Sequence, residues 1–254
     1  MSLQFDVAWL SAFLLAMVRT TAWLYVAPPF NSNGIPQRVK LGVAVAIAMF
    51  IAPQFPAGES LANSAAFIPA VLYEVAIGLA MGFGVQLLMS AVQSAGALID
   101  FSAGFSAAAA YDPMSNSSST PFGRFYSLLA TAILFASGGH RVIMKGFLMS
   151  FNGGDGTNAT INEVGQILAH DFSTYFAATL QMAVPLVAAL FLAEVALGLL
   201  AKAAPQMNII SISFGVKTGA ALLLGGLAIK ALPAILFPLV TQAAETMVAL
   251  GSGG

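Results

Sequence analysis

Cysteine is absent from the 254 residues, and charge is scarce: Asp, Glu, Lys and Arg together make up 7% of the chain. The first absence removes disulfides, thiolate metal sites and cysteine nucleophiles together. The second removes a water-facing surface, because a soluble domain carries about a quarter of its residues as charged side chains. Nine basic residues stand against ten acidic ones without any basic tract, so the electrostatic footprint of a nucleic-acid binder is missing. The two histidines, His140 and His170, do not belong to a His-Glu-x-x-His helix. A Gly-x-Ser-x-Gly elbow and a Walker loop are likewise missing. Asp155 to Glu163 offers oxygen ligands, but its spacing is wrong for a calcium loop. The expectation is therefore a protein that is not an enzyme and has no cofactor or metal of its own.

What the chain does contain is apolar: 59% hydrophobic residues and a mean hydropathy of +0.88. The apolar runs cover roughly 7–27, 41–53, 66–99, 125–151, 172–201 and 209–250, broken by Pro, Gly and small polar residues. They lack the strand alternation of a membrane barrel, and helices are the other lipid-spanning solution. This predicts an all-α integral membrane protein of about six long hydrophobic helical segments in a single domain, residues 1–254. With Asp6 where a signal peptide wants positive charge, the N-terminus reads as a retained membrane helix. Arg38 and Lys40 would lie on the cytoplasmic side and both termini outside, although Arg141 and Lys145 do not respect that scheme.

A plain bilayer accommodates this pattern poorly. Residues 66–99 as one helix would extend about 50 Å, against a hydrocarbon core of about 30 Å. Arg19, Glu74 and Glu194 fall inside or beside apolar runs, and Lys217 and Lys230 share the last one. Charges at such depth face a protein interior, face a water-filled cavity, or snorkel to the interface, as Lys202 and Asp100 at run ends would do. Gly78-x-x-x-Gly82 and Gly215-x-x-x-Gly219 allow close approach of helix backbones, within the chain or between subunits.

Asp112 to Gly123 carries small polar residues between two prolines and offers no apolar face to bury. It reads either as an ordinary solvent loop or as a flexible obstruction inside a channel, with aromatic and Met side chains as the seal.

Three stretches carry a resemblance: APPFNSNGIPQRVKLGVAVAIA at 27–48, YEVAIGLAMGFGVQLLMSAVQSAGALIDFSAGFSAAAAYDP at 73–113, and LAEVALGLLAKAAPQMNIISISFGVKTG at 192–219. In this order they resemble the FliR/SctT-type export-gate subunits of bacterial flagella and injectisomes, over nearly the whole chain. Ala-Pro-Gln-Met-Asn at 204–208 and the stretch 96–113 are the most specific parts. The resemblance implies bent hairpins packed with FliP-like and FliQ-like partners into a helical hetero-oligomer, a channel for unfolded flagellar proteins. It also implies FlhB-like and FlhA-like export components nearby, in the bacterial inner membrane at the flagellar basal body, raised towards the periplasm. A loop matching residues 105–121 would plug the pore, with Phe105, Tyr111, Asp112, Pro113, Met114, Ser115 and Asn116 as its gating residues. Arg19, Glu74, Asp100, Glu194, Lys202, Pro205, Gln206 and Lys217 would be the buried polar and assembly positions. The tract Ala107 to Ala110 is smaller than the family's pattern. The rival reading is a secondary transporter for a small solute with Glu74, Glu194 and the buried lysines as coupling groups, although no internal repeat is visible.

Overall fold

Proline and glycine set most of the helix limits. A computed structural model of the protein describes residues 7–32, 34–53, 64–105, 120–152, 159–206 and 208–252. Among these residues every regular element is helical: α1 (Val7–Val26), α2 (Gln37–Ile51), α3 (Ser64–Ala103), α4 (Pro121–Ala136), α5 (Gly139–Met149), α6 (Ile161–Ala203), α7 (Ile209–Ala228) and α8 (Leu232–Ser252). A 3-10 turn, Ile229–Ala231, lies between the last two.

Pro28 and Pro29 follow α1, and the Asn31 side chain donates to the Val26 carbonyl at 3.0 Å, satisfying one of its orphan acceptors. Pro121 opens α4 at a position where its missing N–H costs nothing. Gly138, at φ +77°, separates α4 from α5 in a conformation that L side chains rarely adopt. Thr160 and Glu163 form a reciprocal capping box at the start of α6: the Thr160 amide donates to Oε2 at 2.7 Å, and the Glu163 amide to Oγ1 at 3.3 Å.

The all-α membrane architecture is as expected, but the number of spans differs from six. Four helical stretches are long and apolar enough to cross a membrane, or five if α4 and α5 together make one broken span. The run at 41–53 falls out because α2 has 15 residues, a rise of about 22 Å against a core of about 30 Å. The run at 172–201 belongs to a helix that begins at Ile161, eleven residues before the run.

The chain folds as two compact units. Met1–Leu88, Gly138–Phe172 and Val240–Gly254 form the first; Met89–Ser137 and Ser173–Leu239 form the second. In the first unit the Trp23 ring stacks on Phe147 with centroids 4.2 Å apart. Gly78 and Gly82 admit α1 there: a Cβ on Gly78 would lie 2.5 Å from the Arg19 carbonyl oxygen, and one on Gly82 2.8 Å from the Val26 Cβ. The Gly78-x-x-x-Gly82 pair therefore serves packing within the chain. In the second unit Ile99, Tyr126, Leu134, Leu190 and Ala221 are buried. Gly215 and Gly219 are different, with open space where their Cβ would be.

Candidate functional site

Each unit buries polar groups that an apolar chain tolerates only when they are partnered. In the first unit Arg19 forms a two-pronged pair with Glu74: its Nε donates to Oε2, and its Nη2 donates to Oε1 at 2.9 Å. Nη1 donates to the Ser150 carbonyl at 3.2 Å. That carbonyl belongs to the C-cap of α5, where a cation also complements the helix dipole. The guanidinium lies 4.5 Å from the Phe151 ring centroid, a cation–π placement. Both side chains of the ion pair are nearly inaccessible, at 5% and 7%. One residue of α1 thus ties α3 and the end of α5.

A second buried carboxylate in this unit, Asp171, accepts from Gln242 Nε2 and from Thr246 Oγ1, each at 3.0 Å. It holds α6 to α8 through two neutral donors. Reading the sequence missed it because its neighbours Glu163 and His170 suggest a solvated stretch.

The second unit is organised around Asp100. Expected to snorkel, Asp100 is instead fully buried. Its Oδ1 accepts from the Phe122 amide at 3.0 Å and its Oδ2 from the Gly123 amide at 2.9 Å. These are orphan donors at the N-terminus of α4, whose own N-cap residue, Thr120, makes no side-chain cap bond. The carboxylate of one helix therefore caps another, and its negative charge suits the positive end of that helix. Gly96, one turn earlier, makes the approach possible: a Cβ there would lie 2.6 Å from the Phe122 carbonyl oxygen.

The positive φ of Gly104, +88°, ends α3 and turns the chain at Phe105. The Phe105 ring is 6.0 Å from that of Phe122 and 6.2 Å from that of Phe214, both centroid to centroid. The chain thus leaves at Phe105 and returns at Thr120 with its two ends fastened by Asp100 and by an aromatic cluster. Of the seven expected gating residues, Tyr111, Asp112, Pro113, Met114, Ser115 and Asn116 lie outside the described residues.

The remaining polar positions do not converge. Lys217 Nζ lies 3.0 Å from Glu194 Oε1, the lysine side chain largely sheltered at 12% exposure and the glutamate 62% exposed. Lys202 is exposed in the last turn of α6, where a cation again suits the dipole. Pro205 and Gln206 are exposed in the turn that follows. Among the described residues no cluster of His, Cys, Asp or Glu could hold a metal ion.

Comparison with known proteins adds a family. Residues 10–243 match the model of the bacterial export proteins, family 1. The chain is 30% identical over 215 residues to the flagellar biosynthetic protein FliR of Escherichia coli, covering 82% of this chain and 80% of that one. It is 29% identical over 210 residues to the protein of the same name in Bacillus subtilis, covering 81% of each. The surface presentation of antigens protein SpaR of Salmonella typhimurium is 26% identical over 210 residues, 83% of this chain and 80% of the relative.

Proposed function

This chain belongs to family 1 of the bacterial export proteins, a membrane protein by its helices, and from that membership we propose that it is a structural and gating subunit of a flagellar export channel. In this reading it assembles with FliP-like and FliQ-like subunits, works beside FlhB-like and FlhA-like components, and passes unfolded polypeptides without covalent chemistry. Its place is the inner membrane at the basal body, raised towards the periplasm. The relatives named FliR and SpaR make an injectisome the nearest alternative setting.

The observation that carries the gating part is the fastening of Phe122 and Gly123 to Asp100. A segment can obstruct a pore and still move aside only if its base stays fixed, and the buried carboxylate supplies that fixed base at residues 100 and 122–123. The rival transporter reading would need Glu74 free to exchange protons or ions, and Glu74 is committed to Arg19.

Native mass analysis of the chain alone, then coexpressed with FliP-like and FliQ-like partners, tests the assembly. A discrete hetero-oligomer with one or a few copies of this chain is expected; a monomer or homodimer indifferent to those partners would return the argument to solute transport. Within an assembled complex, deletion of Ser115 to Thr120 should make the membrane leak ions while leaving assembly intact. An unchanged leak would remove the plug from the reading.

A further inference from the structure

The apolar run at 125–151 contains two cations, Arg141 and Lys145, that no simple topology accommodates. The structure places them on α5, whose 11 residues rise about 16 Å and cannot cross a core of about 30 Å. Within the first unit α5 packs tightly on α8: a Cβ on Gly146 would lie 2.7 Å from the Ala244 Cα. Beside that contact the two helices leave an open groove of about 450 Å³, within the size range of small-ligand sites. Val142, Met149, Val248 and Ala249 give it apolar walls, and Lys145 from α5 and Glu245 from α8 line it as well. Arg141 does not; its guanidinium lies against Gly138.

The two charges give the groove its chemistry. Both side chains are exposed, and among the described residues neither forms an ion pair, with the other or with a third group. Glu245 lies inside the apolar stretch Ile212–Gly251, about 10 Å along the axis from the end of α8 at Ser252. Lys145 lies one turn from the end of α5. A charge on the outside of an apolar helix is costly in lipid unless it reaches a headgroup or an opposite charge. Here opposite charges face one apolar groove from its two helices, and both are unanswered. An occupant that answers both carries an anion, a cation and an apolar body.

We propose that the groove binds phosphatidylethanolamine: an acyl chain lies along Val142, Met149 and Val248, the phosphate meets Lys145, and the primary ammonium donates to Glu245. One headgroup then brings both charges, and the tail brings the apolar body. Phosphatidylcholine carries the same charges, but its quaternary nitrogen has no N–H to donate to a carboxylate. Phosphatidylglycerol answers Lys145 and leaves Glu245 beside another negative charge. A partner helix, about 10 Å across, would cover the groove without entering it and leave the apolar walls to isolated side chains.

The test uses the full chain in vesicles of phosphatidylcholine containing a trace of lipid with a photoreactive diazirine on one acyl chain and an ethanolamine, choline or glycerol headgroup. After photolysis, peptides carrying Met149 and Val248 should be labelled most by the ethanolamine probe, less by the choline probe and least by the glycerol probe. Glu245→Gln should lower the ethanolamine-to-choline ratio about fivefold, the upper end for an exposed ion pair, and raise labelling by the glycerol probe. Lys145→Gln should lower labelling by all three. Val248→Trp, which fills the groove, should remove it whatever the headgroup. If that variant fails to accumulate, the two charge changes, both at exposed positions, decide alone. Equal labelling by the three probes, or an ethanolamine preference that survives Glu245→Gln, would overturn the proposal. So would even labelling that disappears on coexpression with FliP-like and FliQ-like subunits, which would give the groove to a partner helix. The purified chain supplies the deciding readout, so failure here leaves the export-channel reading untouched.

Discussion

Removing one member of a buried ion pair strands the other charge where water cannot reach it, and that cost exceeds what the pair itself contributes. Arg19→Ala or Glu74→Ala should therefore destabilise the first unit by about 3–5 kcal/mol, while the double change Arg19→Met with Glu74→Leu should cost less than either. Thermal unfolding of the purified chain, followed by circular dichroism, gives all three values; simple additivity would mean the pair is not coupled as its geometry indicates. Asp100 obeys the same logic towards backbone amides. Asp100→Ala leaves two buried N–H groups without acceptors, at about 1–3 kcal/mol each, and Asp100→Asn retains one acceptor oxygen. Amide hydrogen exchange at Phe122 and Gly123 should accelerate strongly in the first variant and mildly in the second. Equal protection in both would show that another group caps α4. Arg19 and Glu74 were legible in the sequence because charge inside an apolar run is expensive wherever it sits. The role of Asp100 was not, because capping the amides of residues 122 and 123 from residue 100 depends on a tertiary approach that no spacing rule encodes. The Ser150 carbonyl was equally hidden, being backbone.

Among the elements, glycines inside apolar helices do opposite things. A methyl group at Gly96 would meet backbone at 2.6 Å, and one at Gly219 would meet nothing. Backbone cannot yield as a flexible side-chain tip can, so Gly96→Ala should abolish or sharply lower accumulation of folded chain. Gly219→Ala should leave it intact or stabilise it by up to about 1 kcal/mol, the difference in helix propensity. Expression level and melting temperature distinguish the two, and a destabilised Gly219→Ala chain would show that α7 packs within the chain on that face. The helices themselves were visible in the apolar runs, whose period and length need no tertiary information. Their ends were less so. The start of α6 at Ile161 lies eleven residues before its apolar run because Thr160 and Glu163 form the cap, a Thr-x-x-Glu signal that was present in the sequence. The interruption of the last run at Ile229–Ala231 was marked only by Lys230 and by Pro233 in the first turn of α8.

For the whole molecule, the decisive quantity is apolar surface left uncovered. The apolar windows of Ile161–Ala203 and Ile212–Gly251 are each 22% buried, whereas that of Phe67–Ala103 is 61% buried. Phe191, Leu199 and Leu223 are among the large side chains left exposed. Lipid can cover such a surface, and so can partner helices, which prefer small residues such as Gly215 and Gly219 where backbones meet. The two coverings separate experimentally because the chain has no cysteine, so a single introduced thiol reports unambiguously. Phe191→Cys, Leu199→Cys and Leu223→Cys should each react with a maleimide when the chain is alone in detergent micelles, where water reaches the thiol and lets it ionise. After coexpression with FliP-like and FliQ-like partners, at least one of them should become protected by tenfold or more, because a packed interface excludes the reagent as a protein interior does. If all three stay as reactive as before, these faces remain in lipid. Assembly would then have to proceed through other surfaces, and the unburied apolar windows would no longer speak for an export channel over a solitary membrane protein.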